Sequence, residues 1–133
     1  MTIRLMIVDD SAAIRGVYAR MLEDQSNIKI VASIGDPREA IKQIPNFTPD
    51  VITLDVEMPG LTGLEALQQI RQISPNTKVV MLSSLTNRGS KTSLEAERLG
   101  AAALLQKPSL GMNPAEFKRT FCAKLAELTR ASA

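Results

Sequence analysis

Histidine is absent from the 133-residue chain, and cysteine occurs once, at Cys122. The lack of histidine excludes a Ser/His/Asp or Cys/His nucleophile, most zinc sites and a phosphohistidine formed on this chain. A single cysteine excludes an internal disulfide and is typical of a reducing compartment, so we expect a cytoplasmic protein. No apolar run approaches about 18 residues, and Met1 is followed at once by a strand pattern. We therefore expect no signal peptide and no membrane span.

The overall composition predicts one ordinary globular domain, over residues 1–133 with a core from about residue 3 to 128. Hydrophobic residues make up 44% of the chain and charged residues 23%. The net charge of +2 is too small to indicate a nucleic-acid partner. The basic residues Lys118, Arg119 and Lys124 are interpreted as a solvated helix face, so we expect no contact with nucleic acid or membrane.

Strand-like and helix-like segments alternate along the whole chain, which is typical of βα units on a parallel sheet. Five strands are predicted, over residues 3–8, 28–34, 51–54, 78–82 and 102–106. Capping residues indicate four helix starts, at Ser11, Asp36 with Pro37, Thr62 with Glu65, and Asn113 with Pro114. Pro45 is expected to limit the second helix, and Gly100 suits a left-handed stop after the fourth. The sequence therefore predicts an α/β fold with five strands and five helices.

Five reactive side chains occur where predicted strands end: Asp9, Asp10, Asp55, Ser83 and Lys107. Ligands of open α/β sheets bind outside the carboxyl ends of the strands, where the strand order reverses. Clustered acids repel one another unless a cation neutralises them, and oxygen ligands without histidine or thiolate favour Mg²⁺ or Mn²⁺ over zinc. A lysine at such a site would pair with an anion, and a carboxylate that attacks a phosphoryl group gives an aspartyl phosphate.

Each of these features also has an ordinary structural interpretation. The Asp9-Asp10 pair suits a helix cap, Asp55 suits a turn, and lysine before proline suits the end of a strand. All five residues nevertheless fall at the same edge of the predicted sheet. That coincidence favours a site for a hard cation and a phosphoryl group.

Four segments in order resemble the motifs of the two-component receiver domain, the family of the chemotaxis response regulator. They are VDDS at 8–11, LDVEMPGLTG at 54–63, MLSS at 81–84 and QKP at 106–108. The resemblance implies a doubly wound, flavodoxin-like fold, with a five-stranded parallel sheet of order 2-1-3-4-5 and five helices. It also implies a phospho-accepting signalling domain that switches a protein–protein output. Such a domain is no enzyme beyond its own phosphorylation and dephosphorylation.

The resemblance assigns the metal site and the phosphoacceptor. Asp55 is expected to accept a phosphoryl group from a sensor histidine kinase. Asp10 and Asp55 would bind Mg²⁺ directly, and Asp9 would act mainly through water. The backbone carbonyl of Glu57 would supply a further ligand.

The resemblance also assigns the residues around the phosphoryl group. Ser83 would bond a phosphoryl oxygen, and Lys107 would pair with the phosphate. Pro108 would have a structural role, with a cis peptide bond between it and the lysine. Many receivers carry an aromatic switch residue three positions before this lysine, where the present chain has Leu104. The switch residues are therefore expected to be Ser83, Ser84 and Leu104, with coupling through Ser83 and the loop at 85–91. Simple strand packing is the alternative interpretation of Leu104.

The segments DVITLDVEMPGLTGLEAL and VVMLSSLTNRGS look like the receiver half of chemotaxis protein-glutamate methylesterases. The methylesterase half does not fit into this length, and the histidine of its triad is absent. The chain is interpreted as the regulatory domain of such an enzyme, with an output domain or partner protein. A stand-alone single-domain response regulator is the alternative. A small Mg²⁺-dependent aspartyl phosphohydrolase is disfavoured, because no segment remains for a substrate cap.

Overall fold

The computed structural model describes residues 2–57, 61–83, 91–108 and 113–130, with the side chains of Thr92 and Ser93 excepted. Strands and helices alternate throughout these ranges. The strands are β1 (Ile3–Val8), β2 (Ile28–Ile34), β3 (Val51–Asp55), β4 (Lys78–Ser83) and β5 (Ala103–Gln106). The helices are α1 (Ala12–Leu22), α2 (Pro37–Phe47), α3 (Gly63–Ile73), α4 (Lys91–Arg98) and α5 (Pro114–Arg130).

The five strands form one parallel sheet in the order β2-β1-β3-β4-β5, which confirms the predicted topology. The strand order reverses between β1 and β3. The helix that follows β1 packs on one face of the sheet, and the helix that follows β3 packs on the other. These strands pair from Leu5 with Val51 up to Val8 with Leu54. The next residues on the two strands, Asp9 and Asp55, therefore emerge side by side at the reversal point, where α/β sheets bind ligands.

Each face of the sheet is covered by its own hydrophobic cluster. One cluster joins alternate strand residues such as Val8, Leu54 and Met81 to buried residues of α2, α3 and α4. The other joins the intervening strand residues to Tyr18 of α1 and Phe121 of α5. Strands buried on both faces read as continuous apolar runs, which is why β1, β3 and β4 were recognisable from the sequence.

The predicted helix caps are present. The Ser11 hydroxyl accepts a hydrogen bond from the backbone of α1, and Asp36 caps α2 with Pro37 in its first turn. Thr62 and Glu65 form a reciprocal capping box at the start of α3. Gly100 has a φ of +97°, as expected for a residue that stops a helix in the left-handed region.

Pro45 lies inside the second helix and close to its end, because α2 continues two residues further, to Phe47. A proline here removes one backbone donor, which usually interrupts a helix. The last turn is instead stabilised by one contact from β1 and by the backbone hydrogen bond of the residue that caps the helix. The guanidinium of Arg4, on β1, donates to the Phe47 carbonyl at 2.6 Å, and the Thr48 N–H donates to the Ile44 carbonyl at 2.8 Å.

Three strand boundaries differ by one residue from the prediction. β3 includes Asp55 and β4 includes Ser83, whereas β5 begins at Ala103. The acid and the hydroxyl are therefore the last residues of paired strands, so the sheet itself fixes their backbone positions. Within the described part of the chain, no helix combines the length and the apolar character needed to cross a membrane.

Candidate functional site: an acidic cluster at the carboxyl edge of the sheet

Three carboxylates meet at the reversal point of the sheet. One oxygen from each of Asp9, Asp10 and Asp55 lies within 4.8 Å of the others. Asp9 and Asp55 are buried, at 3% and 1% exposure, because they extend directly from the central strands. Asp10 is exposed. The sequence prediction that these three acids cluster is confirmed, and the cluster opens to solvent on the Asp10 side.

Lys107 reaches into the cluster from the end of β5. Its Nζ donates to Asp55 Oδ2 at 2.9 Å and lies 3.4 Å from Asp9 Oδ2. The Lys107 N–H also donates to the Ser83 carbonyl at 2.8 Å, which ties the lysine backbone to the end of β4. Three carboxylates against one ammonium still leave the site with two formal negative charges in excess, and the site therefore attracts a cation.

Burial and the contact between Asp55 and Lys107 act in opposite directions on the pKa of each residue, and both pKa values lie above their ordinary values. Burial raises the pKa of Asp55 above its ordinary value, and the neighbouring Asp9 adds to the rise, while hydrogen bonds from Lys107 and the Glu57 backbone oppose it. For Lys107, burial lowers the pKa, but the contacts with Asp55 and Asp9 outweigh burial and leave the pKa above its ordinary value. The lysine ammonium is therefore a fixed positive charge at the site.

The loop after β1 is held by a residue that the sequence analysis did not identify. The guanidinium of Arg15, one turn into α1, donates to the Asp9 carbonyl at 2.7 Å. This group lies against Gly35, where an added Cβ would approach the Arg15 Nη1 to 2.9 Å. The Ser11 N–H donates to Asp9 Oδ1 at 2.9 Å and fixes that carboxylate. An arginine four residues after a helix cap gives no sequence signal for such a contact.

Ser83 and Glu57 are joined by their side chains. The Ser83 hydroxyl donates to Glu57 Oε1 at 2.9 Å, across the gap between the ends of β4 and β3. The Glu57 N–H donates to Asp55 Oδ1 at 2.9 Å. The side-chain bond between Glu57 and Ser83 was not predicted from the sequence.

The predicted cis bond between Lys107 and Pro108 is wrong, because the peptide bonds of the described residues are all trans. The trans form of a bond to proline is intrinsically favoured by about 0.5–1 kcal/mol, and Lys107 Nζ reaches Asp55 without a cis bond. Leu104 is half-buried and packs against the cluster on the α2–α4 face, in agreement with a packing role. Ser84, named as a switch residue, lies outside the described residues.

Two buried hydroxyls lack a hydrogen-bond partner among the described residues, those of Tyr18 and Thr53. The Tyr18 ring is 1% exposed and packs against Phe117 and Phe121, with ring centroids 6.2 and 5.5 Å apart. Burial raises the Tyr18 pKa far above its ordinary value, and the negative charges of Asp9 and Asp55 add to this. The phenol is therefore neutral and within electrostatic range of the acidic cluster.

The donor set fits a hard divalent cation. Mg²⁺ takes oxygen ligands at about 2.0–2.1 Å in an octahedron, so two of its ligands lie roughly 2.9–4.2 Å apart. The three carboxylate oxygens, within 4.8 Å of one another, are close to that spacing. The exposed Asp10 leaves room for the water molecules that Mg²⁺ usually retains. Mn²⁺ accepts the same oxygen ligands.

A crevice with clustered acids and a lysine, at the reversal point of a parallel sheet, defines a class of phosphoryl-handling α/β domains. Residues 5–116 match the sequence model of the response regulator receiver domain. The chain therefore belongs to the response regulator receiver domain family, as its motifs predicted.

The curated relatives narrow this class further. The chain is 50% identical over 106 residues to a protein-glutamate methylesterase/protein-glutamine glutaminase of Rhodospirillum centenum, a match covering 80% of this chain and 27% of that protein. It is 41% identical over 133 residues to a protein of the same name from Paramagnetospirillum magneticum, covering 98% of this chain and 35% of that protein. The chain thus spans about a third of these relatives, and its receiver is similar to theirs.

Solved structures agree with this assignment. The response regulator domain of Thermotoga maritima CheB superimposes with a TM-score of 0.87 at 36% identity, and the match covers 98% of each chain. The chemotaxis protein CheY4 of Vibrio cholerae gives a TM-score of 0.76 at 29% identity, covering 92% of this chain and 98% of that chain. The predicted resemblance to the methylesterase receivers is therefore confirmed at the level of both sequence and fold.

Proposed function

We propose that this chain is a phospho-accepting regulatory domain in which Asp55 takes a phosphoryl group from a histidine kinase. The proposal rests on the burial and the contacts of the Asp55 carboxylate. Its carboxylate is buried at the end of a central strand, bonded to Lys107 Nζ at 2.9 Å, and next to Asp9 and Asp10. A nucleophilic carboxylate, a cation site and a fixed positive charge are the parts that phosphoryl transfer requires.

In the proposed reaction, one Asp55 oxygen forms a bond to phosphorus while the bond between phosphorus and the donor breaks. The donor leaves with the electron pair of that bond, and the product is an aspartyl phosphate. Lys107 pairs with the new phosphoryl oxygens, which lie beyond the carboxylate that it contacts in the resting domain. The Ser83 hydroxyl, at the end of the adjacent strand, donates to another phosphoryl oxygen.

Asp9, Asp10 and Asp55, with the backbone carbonyl of Glu57, are the groups proposed to hold Mg²⁺. The bound ion would neutralise the excess negative charge of the cluster and the charge of the incoming phosphoryl group. Asp9 Oδ1 already accepts a hydrogen bond from the Ser11 N–H at 2.9 Å, and Asp9 Oδ2 lies 3.4 Å from Lys107 Nζ. Asp9 is therefore assigned a role through water.

The similarity to these relatives also supports a proposal about the protein to which this domain belongs. We assign the chain to the regulatory part of a chemotaxis protein-glutamate methylesterase, acting in the cytoplasm and itself without esterase activity. Its partners would be a sensor histidine kinase and the output domain that it regulates. Residues 1–133 are proposed to act as one receiver unit, which the family match over residues 5–116 supports.

Incubation with acetyl phosphate and Mg²⁺ tests the proposed function. We expect intact-mass spectrometry to detect one added phosphoryl group in the wild-type protein and none in Asp55→Asn, because the amide is a poor nucleophile. Removal of Mg²⁺ by a chelator should suppress the adduct in the wild type. An adduct of equal yield in the Asp55→Asn variant would contradict the assignment of the nucleophile.

A matched control is Asp36→Asn. Asp36 is an exposed acid that caps α2, and asparagine caps helices about as well as aspartate. This variant loses the same charge as Asp55→Asn but should keep the fold and the phosphorylation yield of the wild type. Equal loss of phosphorylation in both variants would indicate a nonspecific effect of charge.

A further inference from the structure

The hydroxyl that the proposed function assigns to the phosphoryl group has another acceptor in the resting domain. Ser83 is 4% exposed at the end of β4, and its hydroxyl donates to Glu57 Oε1 at 2.9 Å. A serine hydroxyl carries a single proton and can make one full hydrogen bond as a donor. The Glu57 carboxylate and a phosphoryl oxygen on Asp55 therefore compete for the same proton.

The backbone around Glu57 is fixed relative to both competitors. The Glu57 N–H donates to Asp55 Oδ1 at 2.9 Å. The Val56 N–H donates to the Leu82 carbonyl at 2.9 Å, which joins the loop after β3 to the end of β4. Glu57 is exposed, so its side chain borders solvent, and the backbone need not move for the Ser83 hydroxyl to change its acceptor. A change of acceptor by the Ser83 hydroxyl, from Glu57 to a phosphoryl oxygen, therefore requires little more than rotation of side chains.

We propose that Glu57 is a positioning residue that holds the Ser83 hydroxyl away from the phosphoryl site until Asp55 is phosphorylated. This inference rests on the proposed function, and it concerns the rate of the same reaction. As the Asp55 oxygen bonds to phosphorus and acetate leaves acetyl phosphate with the electron pair, the Ser83 hydroxyl must leave Glu57 for a phosphoryl oxygen. A hydrogen bond to a charged acceptor is among the stronger ones. Because this bond must break before the serine bonds the phosphoryl oxygen, it slows the reaction.

The test is a double-mutant cycle on the initial rate of phosphorylation by acetyl phosphate, measured by intact mass with saturating Mg²⁺. Glu57→Ala should raise the rate at least about threefold, because the substitution removes the acceptor that directs the Ser83 hydroxyl away from the phosphoryl site. Ser83→Ala should lower the rate. In the double variant, the Glu57 substitution should have no accelerating effect, because the hydroxyl that it releases is gone. An equal acceleration by Glu57→Ala in both backgrounds would overturn the proposal.

The variant Glu57→Gln distinguishes loss of the hydrogen-bond acceptor from a simple loss of negative charge. Glutamine keeps an oxygen that accepts from Ser83 but removes the negative charge that repels a phosphoryl donor. The proposal expects the Gln variant to lie nearer the wild-type rate than the Ala variant. A Gln variant as fast as the Ala variant would assign the effect to charge and overturn the proposal. Glu127→Ala, an exposed acid at the far end of α5, controls for loss of one charge elsewhere.

A second readout is independent of phosphorylation. In the metal-free domain, NMR signals of Ser83 should shift in Glu57→Ala and shift less in Glu57→Gln. Unchanged Ser83 signals in Glu57→Ala would overturn the proposed contact. Failure of this inference can be distinguished from failure of the proposed function. Absence of any phosphoryl adduct on the wild-type protein would contradict the proposed function. A normal adduct without coupling between positions 57 and 83 contradicts only this inference.

Discussion

Asp10 differs from the other two acids of the cluster in its exposure. Asp9 and Asp55 are buried and share the ammonium of Lys107, at 3.4 and 2.9 Å, whereas Asp10 faces solvent. An ion that enters from solvent therefore meets Asp10 first, and Asp10 adds charge that the lysine does not neutralise. Its removal should weaken metal binding with little effect on packing.

We expect Asp10→Asn to abolish Mg²⁺ binding in the millimolar range while the protein stays folded. An amide oxygen is a weaker ligand for a hard cation than a carboxylate, and the cluster loses one negative charge. Titration with Mg²⁺, followed by NMR of the backbone amides near β1 and β3, measures the change. Asp24→Asn is the control, because Asp24 is an exposed acid paired with Lys118. Equal Mg²⁺ affinities in Asp10→Asn and wild type would contradict the assignment.

For individual residues, the sequence indicated which side chains lie close together but not which hydrogen bonds they form. Asp9, Asp10, Asp55 and Lys107 were predictable as neighbours, since the carboxyl ends of parallel strands share one edge. The bond between Ser83 and Glu57 was not, because it depends on the rotamers of two side chains 26 positions apart. The cis peptide bond between Lys107 and Pro108 was also mispredicted. It was expected from the resemblance to the family, although the trans form of such a bond is intrinsically favoured.

The start of α3 lies unusually close to the strand that carries Asp55. Gly63 is the first residue of α3, and its N–H donates to the Val56 carbonyl at 3.3 Å. A Cβ at this position would lie 2.7 Å from the Val56 Cα and would also collide with the Asp55 carbonyl. Both neighbours are backbone atoms, which cannot rotate away. The absence of a side chain at Gly63 therefore permits the close approach of α3 to β3.

Gly63→Ala should lower the free energy of unfolding by about 1–3 kcal/mol, the usual cost of overpacking. Because the displaced backbone belongs to the phosphoacceptor strand, the variant should also be phosphorylated more slowly. Gly16→Ala is the matched control, since the nearest atom to a Cβ there is the flexible Arg20 Nη1 at 3.5 Å. That substitution in the middle of α1 should stabilise the protein by about 0.4–1 kcal/mol. Urea denaturation measures both, and equal stability of Gly63→Ala and wild type would refute the steric argument.

Helix starts were more predictable than helix ends. The starts at Ser11, Asp36 and Thr62 are encoded by side chains within three residues of the cap, so local sequence suffices. The end of α2 is stabilised by Arg4, a contact 43 positions away in the chain, and no local pattern around Pro45 encodes it. Tertiary contact therefore overrode a strong local signal.

The order of the sheet was predictable from the four motifs taken together, and the alternation of buried residues follows from it. Residues of β1 and β3 alternate between two hydrophobic clusters, one beneath α2, α3 and α4 and the other beneath α1 and α5. Apolar runs alone do not say which helix covers which face. That assignment needs the reversal of strand order between β1 and β3, which the resemblance supplied.

The stability of the whole domain should depend on pH through Asp55. Burial holds the pKa of Asp55 above its ordinary value of 3.8, so the folded state binds a proton more readily than the unfolded state. This contribution to stability is fully present below about pH 3.8 and is lost as the pH rises through the folded-state pKa. Ionisation of Asp55 therefore makes the metal-free domain less stable than it is with a neutral group at this position.

We expect Asp55→Asn to be more stable than wild type near pH 7 without Mg²⁺, and this difference to shrink toward pH 3.8 and below. Lys107 keeps a partner in the variant, because Asp9 lies 3.4 Å from its Nζ. Urea denaturation at both pH values, with a chelator present, measures the difference. A variant that is less stable than wild type near pH 7 would show that the Lys107 bond outweighs the burial of the carboxylate.

The buried ring of Tyr18 has an optical consequence. The chain has one tyrosine and no tryptophan, so its intrinsic emission beyond the phenylalanine range comes from this single ring. The raised pKa keeps the phenol protonated, which removes tyrosinate from the spectrum at ordinary pH. The ring lies between α1 and α5 and within electrostatic range of Asp9 and Asp55. The domain thus carries a built-in fluorophore, and we expect its quantum yield and lifetime to respond to charge arriving at the acidic edge without any attached dye.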